Sequence, residues 1–433
     1  MTTTYTLQAK ALEVTDKTNC VVDFIDESLK HAEELRSVPE GERGPLHGIP
    51  ISVKECLFVK GYDATLGMAK KIGQPSKEDS ELIRVMKQLG AVPFCLTNIP
   101  QTMLSFTCSN PVYGRTAHPK VFERTPGGSS GGEACLIASG GSILGLGTDG
   151  AGSMRIPAHF CGLVTLKPST GRLCDRSFLK RGIVGVGSNA GFMCKTVDGL
   201  VLGMKALLEN VDKMADIDHS VVPLAWRQQQ FDPERKLRIG WYDDDQFIPP
   251  VPGCKRAVRV AIEALRAQGH EVVPFYPPHL KEFIKDYFSF ATGDMGKLSL
   301  KEWEGEELDQ AIEANQLVFK IPFRRSLLPA LLKPFSPRMS ELMKCAYDKT
   351  VDLWLGIEDT EKRKAAVLKA WSTLGLDVVI APGFPQPAPP TEDPGRLTLL
   401  TCYTNVYNVM QLPVGTVPVD TYTNQDRVSC LRR

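Results

Sequence analysis

The chain has 433 residues, 42% of them hydrophobic, enough to bury a large core as two ordinary domains or one oversized α/β domain; this excludes a disordered or fibrous chain. With 51 basic against 50 acidic residues the net charge is +1, so no bulk field selects nucleic acid, and any membrane or anion preference has to come from a local patch. The 12 cysteines include no CxxC pair and several lie in apolar runs (Cys95, Cys135, Cys161), so they read as reduced buried thiols; the 7 histidines never take metal-ligand spacing, and neither a metal nor another cofactor is expected.

The first residues, MTTTYTLQAKALEV, lack an apolar signal core, and no window of about 20 apolar residues occurs anywhere, so the sequence predicts neither secretion nor a membrane span. Thr18 to Arg36 places Val22, Ile25, Leu29 and Ala32 on one face and predicts a helix. Gly48–Glu55 alternates as a strand, with Ile49, Ile51 and Val53 opposite Ser52 and Lys54. Lys54 is therefore either a surface charge or, if both faces are covered, buried. Ser76 to Leu89 predicts a helix capped by Ser76, ending at Gly90 before the strand AVPFCL. The same rhythm recurs at Lys255–Gln268 before HEVVPF and at Glu361–Leu374 before LDVVIAP, and helices are expected at Glu133–Ala138 and Thr196–Leu208. Repeated helix–Gly–strand units predict an α/β fold, a twisted mixed sheet covered by helices on both faces. No linker interrupts it, so residues 1–433 read as a single domain.

Two serine clusters stand in TPGGSSGGEACLIASGGSILGLGTDGAGSMR (Thr125–Arg155): Ser129-Ser130 and Ser153, the latter between Asp149 and Arg155. Glycines around a hydroxyl let backbone N–H groups close on a developing anion, which suggests a nucleophile beside an anion cradle. The apolar runs between the glycines exclude a solvated linker. A serine needs a base. His47, His159 and Asp149 offer one, though Asp149 and His159 lie too near Ser153 in sequence for members of a triad drawn from separate loops. Lys54, neutral if buried without a carboxylate, is the other.

Taken together, the lysine in GIPISVKE, the serines in PGGSSGG and the serine in GTDGAGSMR resemble the amidase-signature family, whose triad is Ser-cisSer-Lys. Longer stretches, KECLFVKGYDATLG, GAVPFCLTNIPQTMLSFTCSNPVYG and LLKPFSPRM among them, are similar to the fatty-acid amide hydrolases within it, and the likeness runs from about Leu12 to Pro418. This implies Ser153 as the acylated nucleophile, Ser129 as the bridging serine and Lys54 as the base. It also implies an oxyanion hole of the Gly150, Ala151, Gly152 and Ser153 N–H groups, with Ser130, Thr148, Asp149 and Arg155 in support. Met103, Leu104, Phe106 and Ser129 fall where the family contacts substrate. The implied reaction is cleavage of long-chain fatty-acid amides to acid and amine, with a homodimer admitted.

Phe323–Lys344 joins Leu327, Leu328, Leu331, Leu332 and Phe335 to a fringe of cations. By pattern it is either an interfacial helix pair or a core hairpin. The resemblance implies the first, a cap (323–344) that holds an intracellular enzyme against a membrane surface.

The chain departs from the family at Ala151, where a glycine is usual; if φ is positive there, the alanine strains the loop by roughly 1 kcal/mol or more. Lys195 stands in place of the family's arginine after the signature, the family's amino-terminal membrane helix has no counterpart, and the sequence stops before its final strand and helix. Two other readings follow: an impaired homologue that binds lipid amides or an active partner, and an amidase for soluble amides or a transamidation complex.

Overall fold

The structure of the protein is a computed structural model, which describes residues 2–174, 185–228, 234–294, 296–320, 328–345, 347, 349–391, 397–423 and 426. The strands are β1 (Val21–Phe24), β2 (Pro50–Lys54), β3 (Val92–Thr97), β4 (Ser109–Asn110), β5 (Gly114–Arg115), β6 (Leu144–Asp149), β7 (Val164–Lys167), β8 (Asn189–Cys194), β9 (Arg238–Trp241), β10 (Glu271–Pro274), β11 (Val378–Ile380) and β12 (Val414–Thr416). The helices are α1 (Thr2–Thr18), α2 (Ser28–Arg36), α3 (Glu81–Gln88), α4 (Gly131–Ala138), α5 (Arg155–Cys161), α6 (Val197–Leu208), α7 (Val211–Ile217), α8 (Pro252–Ala267), α9 (Leu280–Ala291), α10 (Lys297–Glu302), α11 (Gln310–Lys320), α12 (Leu328–Leu332), α13 (Pro337–Met343), α14 (Thr350–Thr373) and α15 (Cys402–Met410).

Seven strands form a mixed sheet in the order β1-β3-β2-β6-β8-β7-β12. At its centre β2 runs parallel to β3 and β6, and β6 pairs antiparallel with β8. Every residue of β2, β3, β6 and β8 is buried, because helices cover both faces. Ile51 and Val53 join the core built with α3, α6 and α7. Ser52 and Lys54, which alternate with them, meet α4 and β6 instead, so Lys54 is buried. A smaller parallel sheet, β10-β9-β11, carries the later helix–Gly–strand units.

Two elements differ from the sequence expectation. The Thr18–Arg36 segment is not one helix: Val21–Phe24 is a strand antiparallel to β3, and the helix begins only at Ser28. Over so few residues a helical spacing of apolar side chains does not exclude an edge strand. The helix expected from Ser76 starts at Glu81 after Ser80, while Asp79 accepts hydrogen bonds from Lys60 N and Lys87 Nζ. Among the described residues no helix is long and apolar enough to cross a membrane.

Candidate active site

β2 delivers Lys54 to the centre of the sheet, and the turn after β6 meets it from the neighbouring strand. Lys54 Nζ donates to Ser129 Oγ at 2.7 Å and to Thr148 Oγ1 at 2.8 Å. It is fully buried, and no carboxylate lies within ion-pair distance of it among the described residues. Burial therefore depresses its pKa. Lys167 is also buried, its amine lowered by burial to about 7, but among the described residues its Nζ meets only Pro168 O, at 3.0 Å, and no hydroxyl.

Ser129 follows a cis Gly128–Ser129 peptide at the entrance to α4. Gly128 has no room for a side chain, since a Cβ would run into Thr107 O. Ser130 N donates to Ser153 O at 2.9 Å, and Ser130 Oγ to Thr148 O at 3.3 Å, so the two serine clusters are stitched together through backbone. The Ser129 and Ser153 hydroxyls are not hydrogen-bonded to each other in this structure; the two form no continuous hydrogen-bonded line with Lys54.

Between β6 and α5 the turn Gly150–Met154 wraps around the Asp149 carboxylate. Oδ1 accepts from Gly152 N and Arg155 Nη2, each at 2.8 Å; Oδ2 accepts from Arg155 Nε at 2.8 Å and Met154 N at 3.3 Å. Burial works against this charge, and the Arg155 guanidinium more than offsets it, holding the carboxyl below its usual range. Of the four N–H groups expected in an oxyanion hole, that of Gly152 is thus committed to Asp149. Those of Gly150, Ala151 and Ser153 meet no acceptor among the described residues. Positive φ falls on Gly152, at +117°, and not on Ala151, so the strain expected at the alanine is absent.

α15 closes the turn from the far end of the chain. Thr404 Oγ1 donates to Ala151 O at 2.5 Å, Arg155 Nη1 donates to Thr404 O at 2.8 Å, and Arg155 Nη2 to Asn408 Oδ1 at 2.6 Å. Asn408 Nδ2 donates to Asp149 Oδ1 at 3.1 Å and Gly187 O at 2.9 Å. Tyr407 lies under the guanidinium, 5.9 Å from ring centre to Arg155 Cζ. The histidine alternative finds no such support. His159 sits in a cluster with Phe160 and Phe384, bonded to Gln386 O, and burial lowers it to about 4.

A buried lysine on a serine, with a second serine on an adjoining turn, is a constellation for acyl transfer. The family model described as Amidase matches residues 2–430. This chain belongs to the amidase family. The amidase is 37% identical to fatty-acid amide hydrolase 1 of Sus scrofa over 425 residues, covering 96% of this chain and 72% of that one. It is 36% identical to fatty acid amide hydrolase 1 of Caenorhabditis elegans over 423 residues, covering 96% and 74%. Among solved structures, a fatty acid amide hydrolase matches with a TM-score of 0.82 at 25% identity, over 98% of this chain and 73% of that one. The chain is accordingly an amide-hydrolysing enzyme related to fatty-acid amide hydrolases.

The remaining expected residues of the amidase divide. Phe106 is buried against Ile156, Phe160 and Phe384, and its backbone abuts Gly128; Met103 is half-buried and Leu104 is 41% exposed. In the cap segment Leu327 lies outside the described residues, and of Leu328 only the backbone, in α12, is described. Leu331 and Phe335 are 68% and 87% exposed, Leu332 is half-buried, and Leu342 joins a core formed with α9 and α15. Ser340 Oγ on α13 donates to Pro329 O on α12 at 2.6 Å, pinning the hairpin.

Sequence reasoning missed Thr404, Asn408 and Glu133. The first two carried a signal: with Asn405, they are amide and hydroxyl side chains on a short helix that is wholly buried but for Tyr407, and Thr404 and Asn408 stand four apart, CYTNVYNVM. Glu133 is fully buried in α4, bonded to Ser52 and Thr97.

Proposed function

We propose that this amidase hydrolyses long-chain fatty-acid amides through a Lys54–Ser129–Ser153 relay and an acyl-enzyme. Neutral Lys54 accepts the Ser129 proton while Ser129 takes that of Ser153, whose oxygen attacks the amide carbonyl carbon. The oxyanion is held by the N–H groups of Gly150, Ala151 and Ser153. Collapse breaks the C–N bond as the relay returns a proton to nitrogen, releasing the amine and leaving Ser153 acylated. Water, deprotonated by the same relay, then releases the fatty acid. The observation that carries this reading is the Lys54 amine, buried without a carboxylate and 2.7 Å from the Ser129 hydroxyl.

The substrate class rests on the likeness to fatty-acid amide hydrolases, with the apolar cluster of Phe106, Ile156, Phe160 and Phe384 packed beside Gly128 in keeping with it. Exposed Leu331 and Phe335, beside Lys333 and Arg338, support peripheral attachment of α12 and α13 to a membrane surface. The impaired reading loses one of its motives, because Ala151 carries no left-handed strain.

A fluorophosphonate probe tests the nucleophile, and oleamide against acetamide tests the substrate class. Labelling that vanishes in Ser153→Ala, with oleamide preferred, is the expected outcome. A folded enzyme left unlabelled overturns the mechanism, and a preference for acetamide overturns the substrate class.

A further inference from the structure

One buried ionisable group beside the relay has no part in the proposed chemistry. Glu133 lies on α4, four residues beyond Ser129, with Oε2 at 2.6 Å from Ser52 Oγ and Oε1 at 2.9 Å from Thr97 Oγ1. Ser52 Oγ is also 2.8 Å from Ser142 Oγ, which is 3.3 Å from Leu144 O. Each hydroxyl has one proton to give. If Glu133 is a carboxylic acid, the series Glu133 to Ser52 to Ser142 to Leu144 O uses every proton once. If it is a carboxylate, Ser52 and Ser142 must both turn round, and a buried anion is left with two neutral hydroxyl donors and no cation at ion-pair distance among the described residues. The geometry favours the acid, and burial, the largest influence on the group, pushes it up to about 8.

Ser52 and Lys54 are two apart on β2 and share a face, so the acid and the amine occupy one dry compartment. We propose that Glu133 is a positioning residue for the base: kept protonated it leaves Lys54 free to be neutral, and its ionisation would hold the amine as an ammonium that cannot accept the Ser129 proton.

The other groups around Glu133 and Lys54 do not take this role: the thiols of Cys56, beside Thr148, and of Cys108, just before β4, are both pushed up by burial and stay uncharged. Cys95 on β3 is raised well above the ordinary thiol range by burial. Cys20, before β1, interacts with the Cys135 thiol on α4, an interaction that lowers Cys20 and raises Cys135. Asp149 from β6 and Arg155 from α5 neutralise each other. β8 contributes Met193 and Cys194, whose thiol burial raises to about 11. α1 turns Ala11 and Val14 inward and keeps Lys10, Glu13 and Lys17 paired outside.

The inference rests on Lys54 being the base. Glu133→Gln keeps the neutral acid's donor and acceptor but cannot ionise. Oleamide kcat/KM is measured across pH in the parent, Glu133→Gln and Lys54→Met. The expected result is that Glu133→Gln moves the acid limb to lower pH by about half a unit or more, with maximal kcat within about threefold of the parent. An unmoved limb, where Lys54→Met has lost it, overturns the role of Glu133 alone; a limb that survives in Lys54→Met overturns the base itself. Coupling is reciprocal. The infrared carbonyl band of the protonated Glu133, assigned by its loss in Glu133→Gln or its displacement in Glu133→Asp, is therefore expected to persist to higher pH in Lys54→Met. Absence of the band at neutral pH, or a titration unmoved by Lys54→Met, overturns the inference even if Glu133→Gln does not fold.

Discussion

Gly152→Ala tests the turn where conformation and contact coincide. At φ +117° an L-residue is outside even the left-handed helical well, a cost of about 1–2 kcal/mol. The new Cβ would also overlap the Thr404 side chain, which cannot retreat without giving up its 2.5 Å bond to Ala151 O, worth about 1 kcal/mol. The turn has to move off α15, and the N–H groups of Ala151 and Ser153 move with it. Misplacing one such donor lowers kcat on the order of 100-fold. Steady-state oleamide hydrolysis should show that loss in kcat with KM changed less than about threefold, since the lesion acts in the transition state. Thermal unfolding should fall by the roughly 2–3 kcal/mol of strain and lost bonding. Ala151→Gly is the control. Its φ is not positive, so the rate should stay unchanged and stability drop by up to about 1 kcal/mol through the more flexible unfolded chain. A Gly152→Ala enzyme of parental kcat, or an Ala151→Gly enzyme about tenfold faster, would refute the reasoning.

Lys54→Met should cut turnover to a small, weakly pH-dependent residual rate yet gain stability at neutral pH. The folded pKa lies below the unfolded 10.5, so between the two the unfolded chain holds a proton the folded one lacks. That penalty grows as pH falls and vanishes above 10.5, so denaturation curves of parent and variant should converge in alkali. Thr404→Val, which keeps the branched shape but loses the hydroxyl, should lower kcat with little change in KM, and Thr404→Ser should recover most of it; equal losses in both would mean that packing and not the hydrogen bond matters. Asp149→Asn strands the buried Arg155 charge and should cost about 3–5 kcal/mol in chemical denaturation. Liposome co-sedimentation should weaken in a Leu331→Glu, Phe335→Glu double variant, and binding equal to the parent's would remove the membrane role of α12 and α13.

Lys54, Ser129 and Ser153 could be named as candidates because each sits in a local pattern: an alternating strand and two glycine clusters. Whether Lys54 is buried was not legible, since that depends on α4 covering the face of β2 that its alternation only names. Ala151 invited an expectation of strain because the sequence states which residue is present but not the φ it takes. Glu133 follows Ser130 by three, a spacing that suggests a helix cap; its carboxyl instead reaches Ser52 and Thr97 across the sheet. The grip of Asn408 on Asp149 spans a separation of 259 residues, and no local periodicity reports a contact of that range.

The clasp between α15 and the Asp149 turn also sets an order in time. Lys54, Ser129 and Ser153 are synthesised early, together with most of the strands that bury them, while Thr404 and Asn408 are added some 250 residues later. Until α15 docks, Arg155 lacks its carbonyl and amide partners and the turn lacks its outer wall. A nascent chain can thus pair every strand of the large sheet but β12 while the proposed hydrolytic centre stays unformed, and a folded chain whose α15 is prised away by proteolysis should lose catalysis before it loses the core that α3, α6 and α7 build on that sheet.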